Sequence, residues 1–337
     1  VTDDLVPPDP LDRWLAEAAP WLRPAAVRRL AGGQSNPVFL LSGPGGRAVL
    51  RRKPAGPLLR SAHAVDREYR VISALAGTAV PVPAPIAYCA DPGVLGAEFY
   101  LMAHVEGRVF DDPRLPGLPA SERAAVFGAM ATALAQVHAL DPAAQGLADY
   151  GRPGDYYRRQ IDRWSHQYRA TETGPLADMN ALMAELERRP PADDGRRALV
   201  HGDWRLDNLI WQADAPRIAA IVDWELSTLG HPTADLAQAV MQWRLPPGDD
   251  TRGLAGVNRA ALGIPPDAAF VDRYARASGG AVADFDRALA FAFFRMAAIL
   301  QGVKRRALDG NAADPERGLR LGAQVPRFAA LGRAALG

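Results

Sequence analysis

The chain opens with a helical pattern. In "LDRWLAEAAPWL", residues 11 to 22, Leu11, Leu15, Ala18 and Leu22 recur at the three-to-four spacing of one helix face. The apolar runs 38–41 and 48–50 then flank "SGPGGR", which predicts two strands joined by a tight turn, with the Gly-rich "GGQSN" (32–36) leading in. Helical spacing returns in "AHAVDREYRVISALAG" (62–77), where Gly77 supplies the stop. Alternating prolines hold "VPVPAPIAYC" extended. "EFYLMAHVEG" (98–107) predicts one more strand, closing on Gly107.

Beyond Gly107 the pattern changes. "ASERAAVFGAMATALAQVHAL" (120–140) predicts a long helix with Ser121 as its N-cap and Pro142 past its end. The remainder is mainly helical, interrupted by "ALVHGDWRLDNLIW" and "RIAAIVDWELS". A strand-rich first third and a helix-rich remainder predict an α+β chain of two lobes, 1–106 and 107–337, with "MAHVEG" as the candidate hinge.

Composition narrows the classes of function. With 337 residues, 48% of them hydrophobic, the chain can bury a large core. The formal net charge of +1 gives no field for nucleic acid or a membrane surface. One cysteine, Cys89, excludes an internal disulfide and a cysteine-based metal cluster. "VTDDLVPPDP" has no signal-peptide run, and "ALAFAFFRMAAIL" (288–300) is interrupted by Arg295 and falls short of the roughly 20 apolar residues of a membrane span. A cytoplasmic protein is the expectation.

Chemistry concentrates in the interrupting segments. Asp203 and Asn208 stand five residues apart in "HGDWRLDN", and Asp223 ends the apolar run 218–222. Oxygen-bearing side chains at element ends suit a hard cation such as Mg²⁺ held together with substrate phosphates. Gly32, Gly33 and Ser35 lie in a turn that can bring backbone N–H groups to phosphates. Arg51 and Lys53 share one face of the following strand, and Glu68 on the next helix can pair with one of them. Taken singly, each piece also fits a capped turn, a hairpin entry or a solvated helix face.

The ordered set resembles the aminoglycoside phosphotransferase family of kinases. "HGDWRLDN" fits that family's catalytic loop, "IVDWE" its metal-binding Asp motif, and "GHPTADLA" (230–237) its downstream pattern. "VLRRKP", "SAHAVDREYRVI" and "YLMAHVEGRVF" are most similar to the kinase-like domain fused to some acyl-CoA dehydrogenases. The resemblance implies a bilobal protein-kinase-like fold and ATP- and Mg²⁺-dependent phosphorylation of a hydroxyl on a small molecule. A hydroxyacyl-CoA or other anionic metabolite is one acceptor it allows. An aminoglycoside-type antibiotic, or a catalytically silent nucleotide-binding role, are the alternatives.

Roles follow residue by residue. Asp203 is expected to orient the acceptor hydroxyl, while Asn208 and Asp223 hold Mg²⁺. Arg51 stands where kinases have a strand lysine; Lys53 is the other candidate for the phosphates, with Glu68 as the partner. The resemblance assigns backbone groups of Ala103 and Val105 to the adenine edge. His201 is expected to prop the loop, and Asp235 to accept its backbone N–H groups. In "DYYRRQIDRWSHQY" (155–168), Tyr157, Arg163 and Trp164 are candidate acceptor contacts, against the alternative that such aromatics pack the core. Arg205 either faces substrate or pairs with an acid. The Arg excess of this segment favours an anionic acceptor over a polycation.

Overall fold

Central strands buried at consecutive positions build the first sheet of the computed structural model, which describes residues 5–30, 36–54, 64–248, 251–312 and 314–337. Helix α1 (Pro8–Ala18) is followed by β1 (Ala26–Arg29), β2 (Val38–Gly43) and β3 (Gly46–Arg52). Then come α2 (Val65–Leu75), β4 (Pro85–Cys89), α3 (Pro92–Leu95) and β5 (Phe99–Ala103). The five strands form one antiparallel sheet in the order β1-β2-β3-β5-β4. Phe39, Leu41, Ala48, Leu50, Phe99 and Leu101 share a core with Leu11 and Leu15 of α1. The two-residue period therefore turns Arg51, and Tyr100 paired with it in register, to the opposite face. The predicted Gly32, Gly33 and Ser35 lie outside the described residues.

Contact clustering divides the chain into two units. The first comprises Val1–Val109, Ala143–Leu147 and Asp207–Ser227; the second comprises Phe110–Pro142, Ala148–Leu206 and Thr228–Gly337. Thus 207–227, which the sequence pattern groups with the helical remainder, belongs with the sheet.

The second unit runs through α4 (Ala120–His138), α5 (Tyr156–Thr171), α6 (Ala177–Arg188) and β6 (Ala198–Val200). Helix α4 starts at Ala120 after Pro119, whose fixed φ suits a helix entry, so Ser121 lies in the first turn and is not the cap. The chain next enters the first unit as a hairpin of β7 (Leu209–Trp211) and β8 (Ile218–Ile221). Arg108 and Trp211 exchange N–H···O bonds of 2.7 and 2.8 Å, and the Ile221 N–H donates to Pro81 O at 2.8 Å. A Cβ at Gly107 would sit 2.3 Å from the Trp211 carbonyl oxygen, so only glycine admits this approach.

Back in the second unit, β9 (Thr228–Gly230) pairs with β6, and α7 (Pro232–Trp243) follows. The short β10 (Pro247–Gly248), β11 (Thr251–Arg252) and α8 (Arg259–Leu262) lead to α9 (Asp267–Ser278) and α10 (Phe285–Leu308). Helix α10 carries the apolar run with Arg295 and packs against α5, α7, α11 (Pro315–Gly322) and α12 (Val325–Ala334). It is apolar on most sides because neighbours surround it. Among the described residues no helix is long and apolar enough to cross a membrane.

Candidate active site

In the first unit, three acidic side chains gather around one cation. Arg51 is buried on β3. Its Nε lies 2.9 Å from Glu68 Oε2, and its Nη2 lies 2.5 Å from Asp223 Oδ1 and 3.5 Å from Glu225 Oε2. The Glu68 contact is close in distance but poorly aligned for the N–H, so it acts as charge pairing more than as a hydrogen bond. Burial alone would lower the Arg51 pKa; the surrounding Glu68 and Asp223 charges more than reverse that, and the guanidinium stays charged. Burial pushes the Glu68 carboxyl up to about 7 despite Arg51 beside it.

Asp223 and Asn208 are fifteen residues apart in sequence and neighbours in the β7–β8 hairpin. The Val222 N–H donates to Asn208 O at 3.0 Å, and Leu209 pairs with Ile221. Asp223 adopts left-handed φ +67, rare for a residue with a side chain, as the strand turns into the helical turn Trp224–Leu226. Two oxygen donors at adjoining strand ends, in a cluster richer in carboxylates than in cations, fit a hard divalent cation such as Mg²⁺.

Lys53 follows the last residue of β3, and its Nζ pairs with Glu98 at 2.8 Å, with Asp66 at 4.0 Å. The cation beside Asp223 is therefore Arg51. The Ala103 N–H donates to Ala84 O at 2.8 Å, so within the sheet this residue uses its N–H and only its carbonyl could serve the expected adenine edge. Val105 lies past the strand end, and among the described residues its backbone makes no backbone hydrogen bond.

In the second unit, Asp235 organises the loop that carries Asp203. Its Oδ2 accepts the His201 N–H at 2.6 Å, and its Oδ1 accepts the Gly202 N–H at 2.8 Å. Gly202 has φ +82, which glycine adopts without strain. The same Oδ2 lies 3.2 Å from His138 Nε2, and His138 Nδ1 is 2.7 Å from the Tyr274 hydroxyl. Burial would raise the Asp235 pKa, yet the His138 hydrogen bond and nearby imidazole charge, with the Gly202 N–H, hold it below the usual carboxylate value. The His201 ring is fully buried, meets Trp204 edge-on at 5.6 Å, and its Nδ1 accepts the Asp203 N–H at 3.3 Å.

Asp203 itself is about a quarter exposed, with Arg205 Nε 3.2 Å from its Oδ2. Both line a cavity of about 190 Å³. Its walls include Met241, Leu245, Met296, Leu300, Leu321 and Phe328, and Arg252 adds a second cation. Asp203 is the one acid among the described lining residues.

The expected acceptor contacts on α5 do not line this cavity. Tyr157 is buried between His231 and Phe291 because α5 turns its aromatic stripe into the core. Trp164 donates to Gln160 at 3.0 Å and stacks with the exposed Arg163. Sequence reasoning missed the cavity wall, whose Met, Leu and Phe residues read as ordinary core on α7, α10 and α12 or near them. It also missed His138, set within an apolar helix, and Glu225, although "IVDWE" contains it.

Comparison with known proteins gives this arrangement its relatives. Residues 26–291 match the model of the phosphotransferase enzyme family. Acyl-CoA dehydrogenase family member 11 of Gallus gallus is 42% identical over 312 residues, which is 90% of this chain and 40% of that protein. The chain thus spans well under half the length of this curated relative. A crystal structure from Ralstonia eutropha superposes over 97% of both chains with TM-score 0.88 and 41% identity. An aminoglycoside phosphotransferase in ternary complex with AMP-PNP and hygromycin B shares the fold at TM-score 0.64 and 18% identity, over 97% of this chain and 99% of that one. The chain belongs to the phosphotransferase enzyme family and has the kinase-like fold of its structural neighbours.

Proposed function

We propose that the chain is an ATP- and Mg²⁺-dependent small-molecule kinase that phosphorylates a hydroxyl on an anionic acceptor with a short apolar segment, a description that a hydroxyacyl-CoA meets. The carrying observation is Asp203 on the wall of a largely apolar cavity, with Arg205 and Arg252 as its cations. A polycation is disfavoured by that charge balance. The AMP-PNP complex of the structural neighbour supports a nucleotide donor. The presence of Asp203, Asn208 and Asp223 argues against a silent role.

Asp203 accepts the hydrogen bond of the acceptor hydroxyl and aims its oxygen at the γ-phosphorus. The new O–P bond forms as the β–γ bridging bond breaks, the electron pair leaves with ADP, and the hydroxyl proton passes to Asp203. Asn208 and Asp223 would hold Mg²⁺, which supplies charge neutralisation on the phosphates when bound. Arg51, held by Glu68, adds a fixed positive charge.

Phosphate transfer from labelled ATP to hydroxyacyl-CoAs, sugars, amino alcohols and aminoglycosides tests the reading. Mg²⁺-dependent labelling of an anionic acceptor is expected. Labelling of aminoglycosides alone would refute the acceptor class, and no rise in Tm with ATP and Mg²⁺ would refute the kinase. Arg252→Ala is expected to raise the acceptor KM about tenfold, the size of one hydrogen bond to a charged group, with little change in the KM for ATP.

A further inference from the structure

The acidic cluster around Arg51 contains one carboxylate more than the proposed kinase chemistry uses. Glu68 pairs with the guanidinium, and Asp223 is the proposed metal residue. Glu225, two residues farther on, has no role in that scheme.

Its placement is well defined. Glu225 Oε2 accepts a hydrogen bond from Nδ2 of the fully buried Asn36 at 3.1 Å. The same oxygen lies 3.5 Å from Arg51 Nη2. The intervening Trp224 is fully buried, its indole N–H donates to Ile221 O at 3.1 Å, and the Ser227 hydroxyl closes the turn onto Trp224 O at 2.5 Å. Glu225 is therefore held from both sides, by Asn36 near the start of β2 and by an anchored turn.

One nitrogen, Arg51 Nη2, faces two carboxylates: Asp223 Oδ1 at 2.5 Å and Glu225 Oε2 at 3.5 Å. A divalent cation and that nitrogen compete for Asp223, since an oxygen turned to the metal gives up its charge-assisted bond. A buried guanidinium left without a carboxylate on that side is costly, which would oppose metal uptake.

Resting on the kinase reading, we infer that Glu225 is a positioning residue of the metal site: it keeps Arg51 when the cation takes Asp223, and raises metal affinity without being a ligand. It acts through Arg51, so its removal changes the metal requirement more than the chemical step.

The test is Mn²⁺ titrated at fixed saturating ADP and read as the rise in Tm, with Mg²⁺-dependent turnover measured in parallel. Glu225→Gln is expected to raise half-saturating Mn²⁺ about tenfold, the size of one charge-assisted hydrogen bond. Raising Mg²⁺ should then restore most of kcat. The decisive arm repeats Glu225→Gln in an Arg51→Met, Glu68→Gln background, where both members of the buried pair are neutral and no guanidinium competes for Asp223. There the added substitution should leave half-saturating Mn²⁺ nearly unchanged. An equal loss in both backgrounds would mean that Glu225 acts on the cation directly, and would overturn the inference. So would a fall in kcat with unaltered half-saturation. Asp223→Asn separates this failure from that of the kinase reading: if the Mn²⁺ response survives Asp223→Asn, the metal assignment itself is wrong.

Discussion

Asp203→Asn is expected to lower kcat for phosphoryl transfer by about 10²–10⁴-fold, the range for loss of a positioned general base. The amide keeps the size of the side chain and removes the charged acceptor for the hydroxyl proton. Nucleotide and metal binding should persist, because Arg51, Glu68, Asn208 and Asp223 belong to the other unit and are held by their own strands and helix. Stability should change little, since the Asp203–Arg205 pair is partly exposed and such pairs contribute about 0–1 kcal/mol. Single-turnover rates with the acceptor, set beside the ADP·Mn²⁺ response in Tm, measure the two halves separately. A variant that kept wild-type turnover would remove Asp203 from the mechanism.

Asp235→Ala should affect both stability and rate. It strands the buried N–H groups of His201 and Gly202 and removes a partner of His138. An unsatisfied buried donor costs about 1–3 kcal/mol, so the total is expected to reach about 3–5 kcal/mol, a fall in Tm of roughly 10 °C. Turnover should fall further than stability explains, because Asp203 lies one residue past the released backbone and small misplacements are expensive for in-line transfer. The pH dependence has a definite sign. A carboxyl held below its ordinary value contributes stability above that value and loses it as the pH falls through the depressed one. Asp235→Asn should therefore flatten the acid side of the stability profile below about pH 4, the ordinary carboxylate range. Denaturant melts across acid pH check this, and parallel profiles for wild type and variant would contradict it.

What was legible in the sequence followed from period and order. The apolar runs 38–41 and 48–50 on either side of a turn marked β2 and β3, and the two-residue period of a strand put Arg51 on the face opposite Leu50. The motif order gave the kinase-like architecture. Three kinds of information were not legible. The cavity wall consists of Met, Leu and Phe side chains whose spacing is that of any packed helix, and only tertiary structure separates a wall from a core. Tyr157 illustrates the converse, an aromatic in a polar-looking segment that turns inward because α5 needs a buried stripe. Hairpin pairing is long-range, so neither the adjacency of Asn208 and Val222 nor the membership of 207–227 with the sheet could be read from local pattern.

The arginine at position 51 also decides which reagents can recognise this enzyme. Only two lysines occur in the chain, Lys53 and Lys304, and neither is the cation beside Asp223. A guanidinium remains protonated and is a poor nucleophile, whereas an amine is readily acylated. Nucleotide acyl phosphates, which mark kinases by acylating a lysine near the phosphates, would find no amine at this position. The same property makes this position inert to acylation by thioesters as well: the central cation of the acidic cluster is a side chain they do not modify.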